Sequence, residues 1–123
     1  MLAKTEATMW RVKANYLGVA QGQLMLFSDF DSGGPMWTGQ GKREVRKAVT
    51  FDEAFSQKPS VMVSISMWDL DQKTNQRADI RADNVTREGF EIVFRTWADT
   101  RVARIRADWI ALGPADVDDV WDV

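Results

Sequence analysis

The chain has 123 residues, a net charge of −2, and neither cysteine nor histidine. That length makes one domain able to bury a core without staples, and the missing residue types exclude disulfides, thiol nucleophiles, Ser-His-Asp hydrolases and histidine-ligated zinc. Asp116, Asp118, Asp119 and Asp122 crowd into the C-terminal stretch and leave the rest of the chain at +2, too balanced a charge to draw a nucleic acid.

Residues 1–20 show no clean period, although Met9, Trp10, Val12, Tyr16, Leu17 and Val19 offer apolar contacts. They are read as an N-terminal arm whose apolar side chains need a surface, one candidate being a neighbouring protomer. The opening MLAKTEATMW lacks the apolar run of a secretion signal, and no eighteen consecutive residues are apolar. The expectation is a soluble protein without a membrane span or signal peptide, cytoplasmic by default or exported by a non-classical route.

From Gly22, the run GQLMLFS suits a buried first strand. The following DFDSGGPMWTGQGK, with Gly33-Gly34-Pro35 and Gly39-x-Gly41, must be a loop, long enough to suggest a function or else a crossover between sheets. Val45–Phe51 resumes as a strand. In VMVSISMWD, Val61, Val63, Ile65 and Met67 face one way against the uncharged Met62, Ser64, Ser66 and Trp68, which predicts a central strand covered on both sides. A polar loop, DLDQKTNQ, leads to the strand ADIRADNV.

The strongest pattern is Gly89–Leu112, GFEIVFRTWADTRVARIRADWIAL. Phe90, Ile92 and Phe94 share one face, as do Ala103, Ile105, Ala107, Trp109 and Ala111, a period of two. As a hairpin, pairing Ile92 with Ile105 keeps the apolar faces together and opposes Glu91 to Arg106. The residues Trp97–Thr100 then form a four-residue loop with Trp97 and Asp99 at its tip, where Trp97 either caps the core or meets a ligand. About six short strands separated by turns, with no helical period after residue 20, predict an antiparallel sandwich or barrel.

Little here suggests catalysis or a metal. Asp69-Leu70-Asp71 with Asn75 lacks the glycine and terminal glutamate of a calcium loop. No residue pattern requires a cofactor, and no two carboxylates are placed in a common apolar pocket, so an enzyme is the least favoured class. Asp79, Arg81, Asp83, Glu91, Arg95, Arg104, Arg106 and Asp108 are expected side by side across one sheet, as a solvated face or a contact between protomers.

A resemblance extends this reading. Pro59-Ser-Val-Met-Val-Ser-Ile-Ser, Asp69 before a polar loop, Asn75-Gln-Arg77, Asn84-Val-Thr, Gly89-Phe90, Thr96-Trp97-x-x-Thr100 and Trp109-Ile110-Ala111 together closely resemble the H-type lectin domain, the family of snail agglutinins and of discoidin C-terminal domains. The likeness covers roughly residues 20–113, and the loop FSDFDSGGPMWTGQG looks like the bacterial branch. It implies an all-β, six-stranded antiparallel β-sandwich that forms a homotrimer, extensible to a hexamer, with metal-independent sugar sites between protomers.

By the same resemblance, Arg77 would grip sugar hydroxyls with paired guanidinium donors, and Trp97 would cover the apolar face of a pyranose. Two positions depart from the snail protein. A histidine there corresponds to Ala98 here, and a sugar-binding aspartate of the glycine loop aligns with Gly39 and Gln40. Glycans of the galactose or N-acetylgalactosamine type are the implied partners, but these departures are expected to weaken or redirect specificity, and the ligand itself is not carried over. The domain plan is an arm at 1–20, a lectin-like sandwich at 21–113 and an acidic tail at 114–123. The alternative function is a non-catalytic trimeric assembly or attachment module, with a role in cell adhesion, whose cleft binds no sugar.

Overall fold

Six segments of the chain become strands, most of them with side chains that alternate in burial. The computed structural model describes residues 4–13 and 15–116. It contains β1 (Tyr16–Ser28), the single-turn helices α1 (Asp29–Ser32) and α2 (Pro35–Thr38), β2 (Arg43–Thr50), β3 (Ser60–Leu70), β4 (Asp79–Asp83), β5 (Gly89–Thr96) and β6 (Val102–Ala115). They form two antiparallel three-stranded sheets, ordered β1-β6-β3 and β2-β5-β4. The expected all-β, six-stranded fold is therefore present.

The core lies where the two central strands face each other across the sandwich. Phe90, Ile92 and Phe94 of β5 meet Ile105, Ala107 and Ala111 of β6, all buried, with Leu26, Met36, Phe51 and Phe55 closing the ends. Ile92, Phe94 and Ile105 are fully buried, and each contributes about 1.5–3 kcal/mol of transfer free energy.

This arrangement corrects the predicted hairpin. β5 pairs with β2 and β4, whereas β6 pairs with β1 and β3. The apolar faces of β5 and β6 do coincide, but they do so by stacking across the core, and Trp97–Thr100 carries the chain from one sheet to the other. Glu91 lies beside Ala48 and Asp83, so it does not oppose Arg106.

Three further expectations change with it. β3 is an edge strand with Met62 and Ser64 exposed, so its uncharged second face is not covered by the described residues. β1 begins at Tyr16, six residues before the predicted run, because its inward positions are Gly18, Ala20 and Gly22 while Leu17 and Val19 point outward. The charged residues divide between two outer faces. On one, Glu44 and Arg46 of β2 join Asp83, Glu91 and Arg95 in a network at 2.8–3.7 Å; on the other, Arg104 pairs with Asp69 at 3.0 Å. Val117, Val120 and Trp121, expected to dock on a partner, lie outside the described residues.

Candidate functional site

At one end of the sandwich three loops converge: α1–α2 and its glycines, residues 71–78, and Trp97–Thr100. Their junction is built from main-chain hydrogen bonds made by a few side chains. Thr96 and Thr100 bracket the crossing loop and are buried. The Thr100 hydroxyl donates to the Asn75 carbonyl at 2.6 Å and accepts the Arg77 amide at 3.2 Å. The Thr96 hydroxyl donates to the Arg77 carbonyl at 2.6 Å. Both backbone groups of Arg77 are thus held by hydroxyls of the crossing loop, at residues of no regular secondary structure.

That clamp aims the Arg77 side chain at Asp99. Nη1 donates to Oδ1 at 3.1 Å, and the Asn75 amide reaches both Asp99 oxygens at 3.3 Å. Burial pushes the Asp99 carboxyl up, but hydrogen bonds from Asn75 and the nearby Arg77 charge outweigh it and hold the group below its ordinary value. Both side chains of the pair keep more than a third of their surface in water. A guanidinium and a carboxylate side by side offer donors and acceptors to neighbouring hydroxyl groups.

Arg43 joins the glycine loop to the same crossing. Its guanidinium donates to the carbonyls of Pro35, Met36, Gly41, Ala98 and Thr100 at 2.7–3.3 Å, while the Gly41 amide donates to the Ala98 carbonyl at 2.9 Å. Ala98 sits at φ 58°, in the left-handed region. Gly39 ends α2 with its amide on the Pro35 carbonyl at 2.8 Å, and a Cβ there would stand 2.5 Å from that oxygen. Arg101 adds a second tie by stacking 4.1 Å from the Trp37 ring centroid, donating to the Trp37 carbonyl at 2.8 Å and pairing with Asp71 at 3.2 Å.

The five residues that the resemblance singles out for sugar binding, Arg77, Trp97, Ala98, Gly39 and Gln40, therefore lie at this end. Arg77 and Ala98 are linked through Asp99 and the clamp, and Gly39 and the exposed Gln40 lie next to the Gly41–Ala98 contact. Trp97 is 40% exposed and walls a shallow cleft of about 680 Å³ together with Lys42, Glu44, Ala78, Asp79 and Arg95. Arg77 is not part of that lining, so the chain presents two adjoining surfaces, one polar at Arg77–Asp99 and one aromatic at Trp97. Asp69 and Asp71, the candidate calcium residues, are ion-pair partners of Arg104 and Arg101. No group of three or more acidic side chains gathers at metal-binding distance among the described residues, and no helix there is long and apolar enough to cross a membrane.

Sequence reasoning missed Arg43. Its acceptors are main-chain carbonyls up to 57 positions away, which leave no trace in residue types.

Residues 46–112 match the profile of the H-type lectin domain. A protein of Fuscovulum blasticum, described as ATP synthase subunits region ORF 7, is 57% identical over 107 residues, covering 87% of this chain and 93% of that one. One of the discoidin-1 polypeptides of Dictyostelium discoideum is 41% identical over 75 residues, which are 60% of this chain and 30% of the discoidin. Among solved structures, recombinant discoidin II of the same organism matches with a TM-score of 0.71 at 22% identity, over 86% of this chain and 41% of that chain, a likeness of fold. The chain spans less than half the length of these discoidins.

Proposed function

The chain belongs to the H-type lectin domain family, and we propose that it is a non-catalytic, metal-independent lectin that binds glycans in clefts between the protomers of a homotrimer. Arg77 and Asp99 present donors and an acceptor to sugar hydroxyls, and Trp97 of a neighbouring protomer covers the apolar sugar face. One observation carries this reading. Arg77 is fixed at both backbone groups by Thr96 and Thr100, yet its side chain stays partly in solvent and, among the described residues, pairs with the exposed Asp99.

The separation of Arg77 from the Trp97 cleft within one chain fits a site completed by a second copy. Exposed apolar side chains on the outer face of β1-β6-β3, among them Leu17, Val19 and Met62, supply a surface that association would cover. Sites of this shallow kind bind weakly alone and gain avidity when several act together.

A glycan array tests the proposal, with galactose and N-acetylgalactosamine ligands in the first panel and EDTA in one arm. Saturable binding is expected to persist in EDTA and to fall about 10- to 100-fold with Arg77→Ala, matching the loss of a charged hydrogen bond of about 1.5–3 kcal/mol. Equal binding by the variant refutes the assignment. The apolar outer face also favours the second reading, an assembly or attachment module with an empty cleft; a trimer by light scattering that retains no glycan selects it.

A further inference from the structure

At the end of the sandwich opposite Trp97, the edges of the two sheets part. β1 carries Gly18 and Ala20 on its inner face there, and the chain leaving β2 turns through Asp52-Glu53-Ala54. Between them opens a cleft of about 570 Å³, within the range of roughly 300–1,000 Å³ typical of ligand pockets. Its floor is formed by the edges of aromatic rings, Phe51 and Phe55 being otherwise buried in the core and Trp109 half-buried. Phe51 stacks edge-on against Phe55 at 5.1 Å and lies tilted against Trp109 at 5.8 Å, and all three line the cleft. Its rim is acidic, since Asp52 and Glu53 are exposed and neither forms a salt bridge among the described residues.

The N-terminal arm has the opposite character. Residues 4–13 are exposed and adopt neither helix nor strand, and Met9 at 84%, Trp10 at 48% and Val12 at 40% leave much apolar surface in water. Lys4, Arg11 and Lys13 outnumber the arm's single acid, Glu6, and likewise lack a salt bridge among the described residues. An aromatic flanked by cations on one segment thus complements an aromatic floor with an acidic rim on another.

We infer that the arm of one copy docks in this cleft of a second copy, with Trp10 on the Phe51–Phe55–Trp109 floor and Arg11 and Lys13 against Asp52 and Glu53. Exchange between copies is favoured over folding back because the arm enters β1 at Tyr16, only two residues from Gly18 at the cleft wall, so reaching its own cleft requires a chain reversal, and residues 4–13 hold no turn. Fully extended, residues 4–15 reach about 40 Å, enough to cross to a neighbour.

The absence of native cysteine makes the test clean. Differently tagged Met9→Cys and Ala54→Cys chains are co-expressed and oxidised, and the linked peptides are identified by mass spectrometry. A disulfide between positions 9 and 54 of differently tagged chains is expected. It should be lost when the Ala54→Cys chain also carries Asp52→Lys and Glu53→Lys, or when the Met9→Cys chain carries Trp10→Ala, with far-UV circular dichroism unchanged in each. Absence of the 9–54 link between chains overturns the inference. So does its undiminished formation in the lysine or alanine variants, and so does a single chain carrying both cysteines that closes only on itself.

Discussion

The most informative perturbation is Thr100→Val, because it removes one hydroxyl and keeps the shape of a fully buried side chain. That hydroxyl donates to the Asn75 carbonyl at 2.6 Å and accepts the Arg77 amide at 3.2 Å. Each bond contributes about 0.5–1.5 kcal/mol net, and a partner left unpaired away from water forfeits about 1–3 kcal/mol. Asn75 is exposed and its carbonyl regains water, whereas the Arg77 amide is partly buried, so the sum comes to about 2–3 kcal/mol. With a urea slope of about 1–3 kcal/mol/M for a chain of this size, the unfolding midpoint should drop by about 1–2 M at unchanged slope. Thr100→Ser keeps the hydroxyl and loses one methyl, a penalty of about 1 kcal/mol. Glycan retention should weaken with Thr100→Val even under conditions where the protein is fully folded, since Arg77 loses half of its backbone clamp. A valine variant within about 0.5 kcal/mol of wild type, the range of an ordinary surface substitution, would refute the view that this hydroxyl holds the loop.

Gly89→Ala would put a Cβ 2.1 Å from the Val49 carbonyl oxygen at the paired end of β2 and β5; main chain cannot yield as a side chain does, and chemical denaturation should register a loss of about 3 kcal/mol or more. The acid response of the site follows from Asp99, whose carboxyl is held below its ordinary 3.8. A depressed folded value means that its stabilisation is present above the ordinary value and is lost as pH falls through the lower one. Glycan retention should fall in that same window as the acceptor becomes a protonated acid. Carboxyl carbon NMR of Arg77→Gln should show the Asp99 titration moving upward, and an unmoved midpoint would argue against the pair.

How much of this was legible in the sequence depends on which physical signal each feature leaves. Period-two alternation identified the strands, including the core faces of Phe90, Ile92, Phe94 and of Ile105, Ala107, Ala111. It did not identify their partners. Two alternating segments joined by four residues satisfy the same pattern as a hairpin or as a step between sheets, and burial of both sets is achieved either way. The difference rests on what lies on the other edges of β5 and β6, a non-local fact. β1 was placed too late because small residues carry its inner face, so its most apolar side chains point outward. At the proposed site, resemblance singles out Arg77 and Trp97, whereas Arg43 needed coordinates because its partners are carbonyls that any residue supplies, and the role of Asp99 needed them because Asn75 and Arg77 lie more than twenty positions away in sequence.

The step between sheets also bears on the proposed role of this end of the fold in sugar binding. A hairpin tip is fixed by one turn, but a segment crossing from one sheet to another is anchored in two independent ladders, and here β5 and β6 are each the central strand of theirs. Thr96 and Thr100 stand at the two anchor points and transfer that rigidity to Arg77, while Arg43 transfers it to the glycine loop through Ala98. Ordering an interface side chain on binding forfeits about 0.5–1.5 kcal/mol. A shallow site offering one arginine, one carboxylate and an aromatic face has little interaction energy to spare for it. Fixing the backbone on either side of Arg77 before a ligand arrives removes part of that loss. The rigidity resides in bonds from the Thr96, Thr100 and Arg43 side chains to main chain, so the exposed Gln40 remains open to substitution without loosening the frame. Ala98, at φ 58°, accepts few replacements without strain, and differences in sugar preference are expected to arise at Gln40.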